Sequence, residues 1–275
     1  MRDTVTSVVF ALFAVFLAPG CGPPTPADPV ADIRSRTSVE FVAASLFRIE
    51  PTSTPGFDVY MAPMLLVERS RAEGPAGVSL GALRRASDGS LGLDSTRPVV
   101  YFERSRVSIA GTDRDQLAFL WFFSSVAGRQ RPRVQGVRYT LDDAGFPVIQ
   151  EVLADPSGFR VLYVAGKLSA SQADADAAPR AVVAKSMRDG PVPMGPFVYM
   201  RPERFEITTL LCRCAPSQVS ALPDDITYTI VPVEELKGVG IEEPRWSPDL
   251  LESPAPEPPV PDDWLERALR LPKKW

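Results

Sequence analysis

Chemistry in this chain concentrates in residues 208–218, TTLLCRCAPSQ, where Cys212 and Cys214 flank Arg213. The sequence holds three cysteines in all, the third being Cys21. Two thiols at i and i+2 admit four arrangements: a local or structural disulfide, two reduced thiols packed under a sheet, a redox-active pair, or two ligands of a soft metal such as Cu(I). Zinc would need two further ligands. In a regular strand residues i and i+2 lie about 6.6 Å apart with parallel Cβ vectors, at the upper edge of what a disulfide spans. An oxidised pair therefore requires the strand to end at the cysteines. Pro216 is compatible with such an ending, because it disfavours helix at Ala215. A bond formed this way would be strained and easily reduced, as redox-active disulfides are. Arg213 could lower a thiol pKa, but strand alternation points it to the opposite face. The expectation is a disulfide or two buried thiols, with the redox pair and the soft-metal site as the sharper alternatives; no metal and no cofactor is assigned.

Composition removes most other chemistries. The chain has 275 residues, 45% of them apolar, and a formal net charge of −4, enough for one large or two small domains. Mild acidity without a basic run argues against nucleic acid as a partner. There is no histidine, which excludes Ser-His-Asp and Cys-His hydrolases and every histidine-ligated metal or haem. No GxSxG, P-loop, GxGxxG after a strand, or EF-hand spacing occurs. Acid pairs are common, among them Asp142-Asp143, Asp224-Asp225, Glu234-Glu235 and Glu242-Glu243. A glycosidase needs two carboxylates from separate segments facing across a cleft, whereas adjacent acids in turns point to water. Tyr101, Trp121, Phe122 and Phe123 are the aromatics that could form a sugar-binding platform, but clustered in an apolar strand they read as core.

The N-terminus carries an address. Val8–Ala18 is an uncharged apolar run of eleven residues, short for a membrane span and the length of a signal-peptide hydrophobic region. It leads into Leu17-Ala18-Pro19-Gly20-Cys21-Gly22, which resembles the lipobox of bacterial lipoproteins. Gly20 and Cys21 match the small residue and the cysteine of that motif; Ala18 and Pro19 depart from its commonest residues. The resemblance implies that Cys21 is diacylated on sulfur and becomes the N-terminus after cleavage, so that lipid holds the protein in a membrane of the cell envelope. Gly22 in place of Asp after that cysteine implies the outer membrane, if the host is Gram-negative.

Residues 22–32, GPPTPADPVAD, form a Pro-rich tether. Phe41, Val42, Ser45, Leu46 and Ile49 have the spacing of an amphipathic helix, although Val42, Phe47 and Ile49 also suit a strand. Val59–Val67 is an apolar run broken by Pro63, expected as an edge or bulged strand, and 70–97 is expected as a long loop. LAFLWFF, residues 117–123, is expected as a core strand buried on both faces. Val137–Leu141, Phe146–Leu153 and Phe159–Val164, separated by Asp142-Asp143-Ala144-Gly145 and Asp155-Pro156-Ser157-Gly158, predict a β-meander. Ser169–Ala178 suggests a surface helix, and strands are expected near 180–187, 197–200, 205–211 and 226–231. Residues 244–262 contain seven prolines and act as a second tether. A short helix follows, with Trp264, Leu265, Ala268 and Leu269 on one face and Glu266 paired to Arg270.

The sequence therefore predicts an α+β, β-rich protein with an antiparallel meander or sandwich-like core and a few short helices. Its organisation is expected as a signal peptide (1–20), a lipid anchor and tether (21–36), a β-rich domain (37–243) and a Pro-rich tail with a terminal helix (244–275). The expected role is a non-enzymatic envelope interaction or structural module, partnered by the membrane and by envelope proteins or cell-wall glycan. The alternatives are a periplasmic thiol-redox or soft-metal protein using Cys212 and Cys214, and a carbohydrate- or cell-wall-binding module.

Overall fold

Strands dominate the structure. The computed structural model describes residues 44–50, 56–68, 78–124, 132–156, 160–165, 169–170, 182–186, 188–189, 197–201, 206–212, 225–241, 265–266 and 269–270. Cys21, Cys214, the signal-like segment and both proline-rich tethers lie outside these residues.

Fourteen strands make one curled mixed sheet. They are β1 (Ala44–Ile49), β2 (Met64–Glu68), β3 (Leu80–Arg85), β4 (Leu91–Asp94), β5 (Val99–Ile109), β6 (Thr112–Phe123), β7 (Arg133–Leu141), β8 (Pro147–Val152), β9 (Arg160–Val164), β11 (Val182–Ser186), β12 (Arg188–Asp189), β13 (Phe197–Arg201), β14 (Glu206–Cys212) and β15 (Asp225–Pro232). A separate two-stranded ladder joins β10 (Ser169–Ala170) to β16 (Leu269–Arg270). Along the large sheet the order is β11-β9-β8-β7-β6-β5-β15-β1-β2-β13-β14-β12, with β3 added to β6 and β4 to β3. From β5 to β9 every pair is antiparallel. This is the expected meander, extended by β5 and β6. Elsewhere β15 runs parallel to both β1 and β5, and β13 parallel to β2.

Strand β6 shows why the sheet closes on itself. Leu117, Phe119, Trp121 and Phe123 enter the inner cluster together with Phe47, Leu65, Tyr139, Tyr163, Val198 and Leu210. Those partners come from both halves of the sheet. Tyr163 of β9 reaches the carbonyl of Thr208 in β14 at 3.5 Å, although eight strands separate them along the sheet. Curling lets one apolar face bury itself. On the other face Leu120 and Phe122 join Tyr101, Leu83 and Leu236, under the β3–β4 hairpin and a 3₁₀ helix at Val233–Val239. Both faces of β6 are thus covered, which is why LAFLWFF is a continuous apolar run. Arg85 fastens the two covers, donating from Nε to the carbonyl of Val239 at 3.0 Å and from Nη1 to that of Gly89 at 2.8 Å.

Five expectations are corrected. Residues 44–49 form strand β1 and not an amphipathic helix. Adjacent Leu46 and Phe47 are both buried, and burial on two faces erases the alternation that would have marked a strand. The run at 59–67 divides into α1 (Phe57–Met61) and β2, with Pro63 at the joint. The loop expected at 70–97 contains the β3–β4 hairpin, whose strands carry Gly81 and Gly92 and so lack strand-forming side chains. Finally, Leu269–Arg270 lie in a strand, because β10 offers them a ladder, and Ser169–Ala170 are that ladder's other half and not the start of a helix. Among the described residues no helix is long and apolar enough to cross a membrane.

Candidate functional site

The open end of the sheet is built from two hairpins. β5 and β6 are joined by Ala110 and Gly111, at φ 49° and 75°, a two-residue loop whose positive φ values match the twist of the strands. β7 and β8 are joined by the expected Asx turn: Asp142 Oδ1 accepts the N–H groups of Ala144 and Phe146 at 3.0 and 2.8 Å, and Gly145 sits at φ 82°. Asp88 and Asp94 close their turns the same way, each accepting an N–H two residues on. The first carboxylate of the Asp142-Asp143 pair is therefore committed to its own turn.

Val100 and Phe102 point into or against the core. Two and four residues on, the same face of β5 carries Arg104 and Arg106, beyond the core's edge and exposed. A groove of about 430 Å³ opens there, lined by Arg104, Arg106, Asp113, Arg114, Asp115, Asp142 and Asp143 among others. Arg106 lies opposite Asp115 in the β5–β6 register. Asp115 Oδ2 accepts from Arg104 Nη2 at 2.6 Å, and its Oδ1 accepts from Arg106 Nε at 3.1 Å. Arg114 is buried, yet its Nη1 donates to Asp143, which is largely exposed. The Asp115 and Asp143 carboxylates of the groove are thus engaged by its own arginines. Among the described residues no three His, Cys, Asp or Glu side chains gather as a metal ion would require.

The hydrogen bond from Arg104, opposed by burial and aided by a weaker one from Arg106, holds the Asp115 carboxyl below its ordinary pKa. A folded value below the unfolded value of about 3.9 means that its stabilisation is complete above roughly pH 4. It is lost as pH falls through the lower folded value. Asp115→Asn is expected to reduce stability by about 0.5 kcal/mol at pH 7, since its partners are solvent-exposed. The difference from wild type should narrow as pH falls below roughly 4 and Asp115 takes up its proton; urea midpoints measured from pH 7 downward check this.

The sequence-predicted site residues are not gathered at this groove. Cys212 is the last residue of β14, with backbone pairing to Asp189. Cys214 and Cys21 fall outside the described residues. Trp121, Phe122, Phe123 and Tyr101 are at most 3% exposed: they are core, and Tyr101 Oη accepts the Leu83 N–H at 3.1 Å. Sequence reasoning missed Arg104, Arg106 and Asp115. Charges alternate in ERSR and DRD, but only the cross-strand register brings these side chains together. It also missed a buried polar orphan: among the described residues Trp121 Nε1 has no hydrogen-bond acceptor, a loss of about 1–3 kcal/mol within an apolar interior.

Fold and groove together define a strand-dominated protein with a curled mixed sheet and a polar mouth. No protein family, curated protein or solved structure matches the chain.

Proposed function

We propose that this is an exported, lipid-anchored protein of the cell envelope whose β-rich domain is a non-enzymatic interaction or structural module. The observation that carries the reading is the uncharged run Val8–Ala18 followed by Gly20-Cys21-Gly22, with a Pro-rich spacer before the first strand. A diacylated cysteine supplies membrane affinity of its own. The groove supports recognition over proton transfer, since Asp115, Asp142 and Asp143 already serve arginines or turn amides. Radiolabelled palmitate fed to cells expressing the full chain is expected to label it, and Cys21→Ala is expected to abolish both the label and membrane retention. Unchanged retention of Cys21→Ala would sink the proposal.

A further inference from the structure

Outside the curl lies a third apolar cluster. Ile109 of β5, Ile149 of β8, and Leu162 and Val164 of β9 form its floor, and the side chains that close over it are Leu265 and Leu269. All six are at most 3% exposed. Between the two leucines, Glu266 turns outward and its carboxylate accepts the backbone N–H of Ala110 at the β5–β6 hairpin tip. Leu269 and Arg270 then add to Ala170 and Ser169 as a short antiparallel ladder.

Two apolar anchors at i and i+4, a carboxylate on a backbone N–H and a short strand addition are the contacts by which folded domains bind peptides. In sequence this segment stands after a stretch in which seven of the nineteen residues 244–262 are proline, a composition that does not build a packed core. We infer that the outer face of β5, β8 and β9 is a peptide-docking seat for a Leu-Glu-x-x-Leu segment, filled in cis by Leu265–Arg270 and able to take the same segment in trans from a second copy of this chain. Exchange between copies keeps every contact, which is the condition for swapping an element. In an intact chain the covalently joined cis segment competes with any other copy, so trans docking grows with local concentration. The inference stands whether or not Cys21 is acylated.

The test uses the full chain and a fluorescent peptide of residues 260–275. The peptide is expected to bind full-length Leu265→Ser/Leu269→Ser at least about 100-fold more tightly than it binds the intact chain, where the seat is filled. A peptide carrying the same two serines should bind neither. Equal affinity for both chains, or no binding to a variant that keeps its β-sheet circular dichroism, overturns the inference. Should the variant not fold, a protease site placed within 244–262 of the otherwise intact chain gives the answer. After cleavage the C-terminal fragment is expected to co-elute with the domain and to exchange for labelled peptide. A fragment that leaves without rebinding, or stays without exchanging, overturns the inference equally.

Discussion

Truncating Phe119 to alanine is expected to lower the unfolding free energy by about 3–5 kcal/mol, a large part of what a single domain possesses. Phe119 is fully buried at the middle of β6. Its ring lies 5.2 Å from that of Phe102 on β5 and 5.4 Å from that of Tyr139 on β7, both tilted at 41°. The loss has two parts: the transfer free energy of the ring, and a cavity whose walls cannot close. Closure is blocked because β6 is laddered on both sides, to β5 and to β7, and the inner face is packed against the opposite half of the sheet. Urea denaturation followed by circular dichroism measures the change, with an unaltered m-value marking a loss of stability and not of compactness. Phe146→Ala is the control, since this ring sits 37% exposed beside the β7–β8 turn and should shift stability by no more than about 0.5 kcal/mol. Equal effects at the two positions would mean that the curl is not the core.

The same curl explains what the sequence revealed and what it hid. Local pairings were legible: Asp142 through Gly145 announced a turn, and the apolar alternation on either side announced its strands. LAFLWFF announced a strand covered twice, without saying by what. The parallel partnership of β15 with β1 and β5 joins residues far apart in the chain, and no local pattern encodes it. Nor does periodicity work where both faces are buried, so Leu46-Phe47 passed for part of a helix. In the β3–β4 hairpin the misleading residue was Gly81. A Cβ there would lie 2.3 Å from the carbonyl oxygen of Asp94, so the glycine that made the segment look like loop is required by close strand approach. The groove was hidden for a different reason. Arg104, Arg106 and Asp115 form no recognisable motif, and only the cross-strand register brings them together.

Gly136→Ala is expected to cost about 2–3 kcal/mol, more than a surface substitution of the same size and by a route opposite to that of Phe119. Gly136 lies in β7 opposite Leu120. An added Cβ would fall 2.7 Å from the carbonyl oxygen of Phe119, 3.0 Å from Leu153 Cδ1 and 3.2 Å from Leu120 Cδ1. The leucine methyls can rotate away. The carbonyl belongs to the backbone of β6 and cannot move without opening the sheet. Nor can Gly136 itself retreat. Its N–H donates to Gln135 Oε1 at 2.9 Å, and its carbonyl accepts from Leu153 N at 2.9 Å. The Gln135 amide in turn holds Ala154, donating to its carbonyl at 3.0 Å and accepting its N–H at 3.2 Å. A methyl at 136 therefore pushes on a fully buried polar junction, where each broken hydrogen bond leaves a desolvated group. For a domain of this size the melting temperature should fall by about 4–12 °C. Gly238→Ala separates sterics from backbone freedom, because a Cβ there meets nothing within 4 Å; it should leave the melting temperature essentially unchanged. If Gly136→Ala were as silent as Gly238→Ala, β6 and β7 would have to be free to part at this point, and the junction around Gln135 would hold nothing.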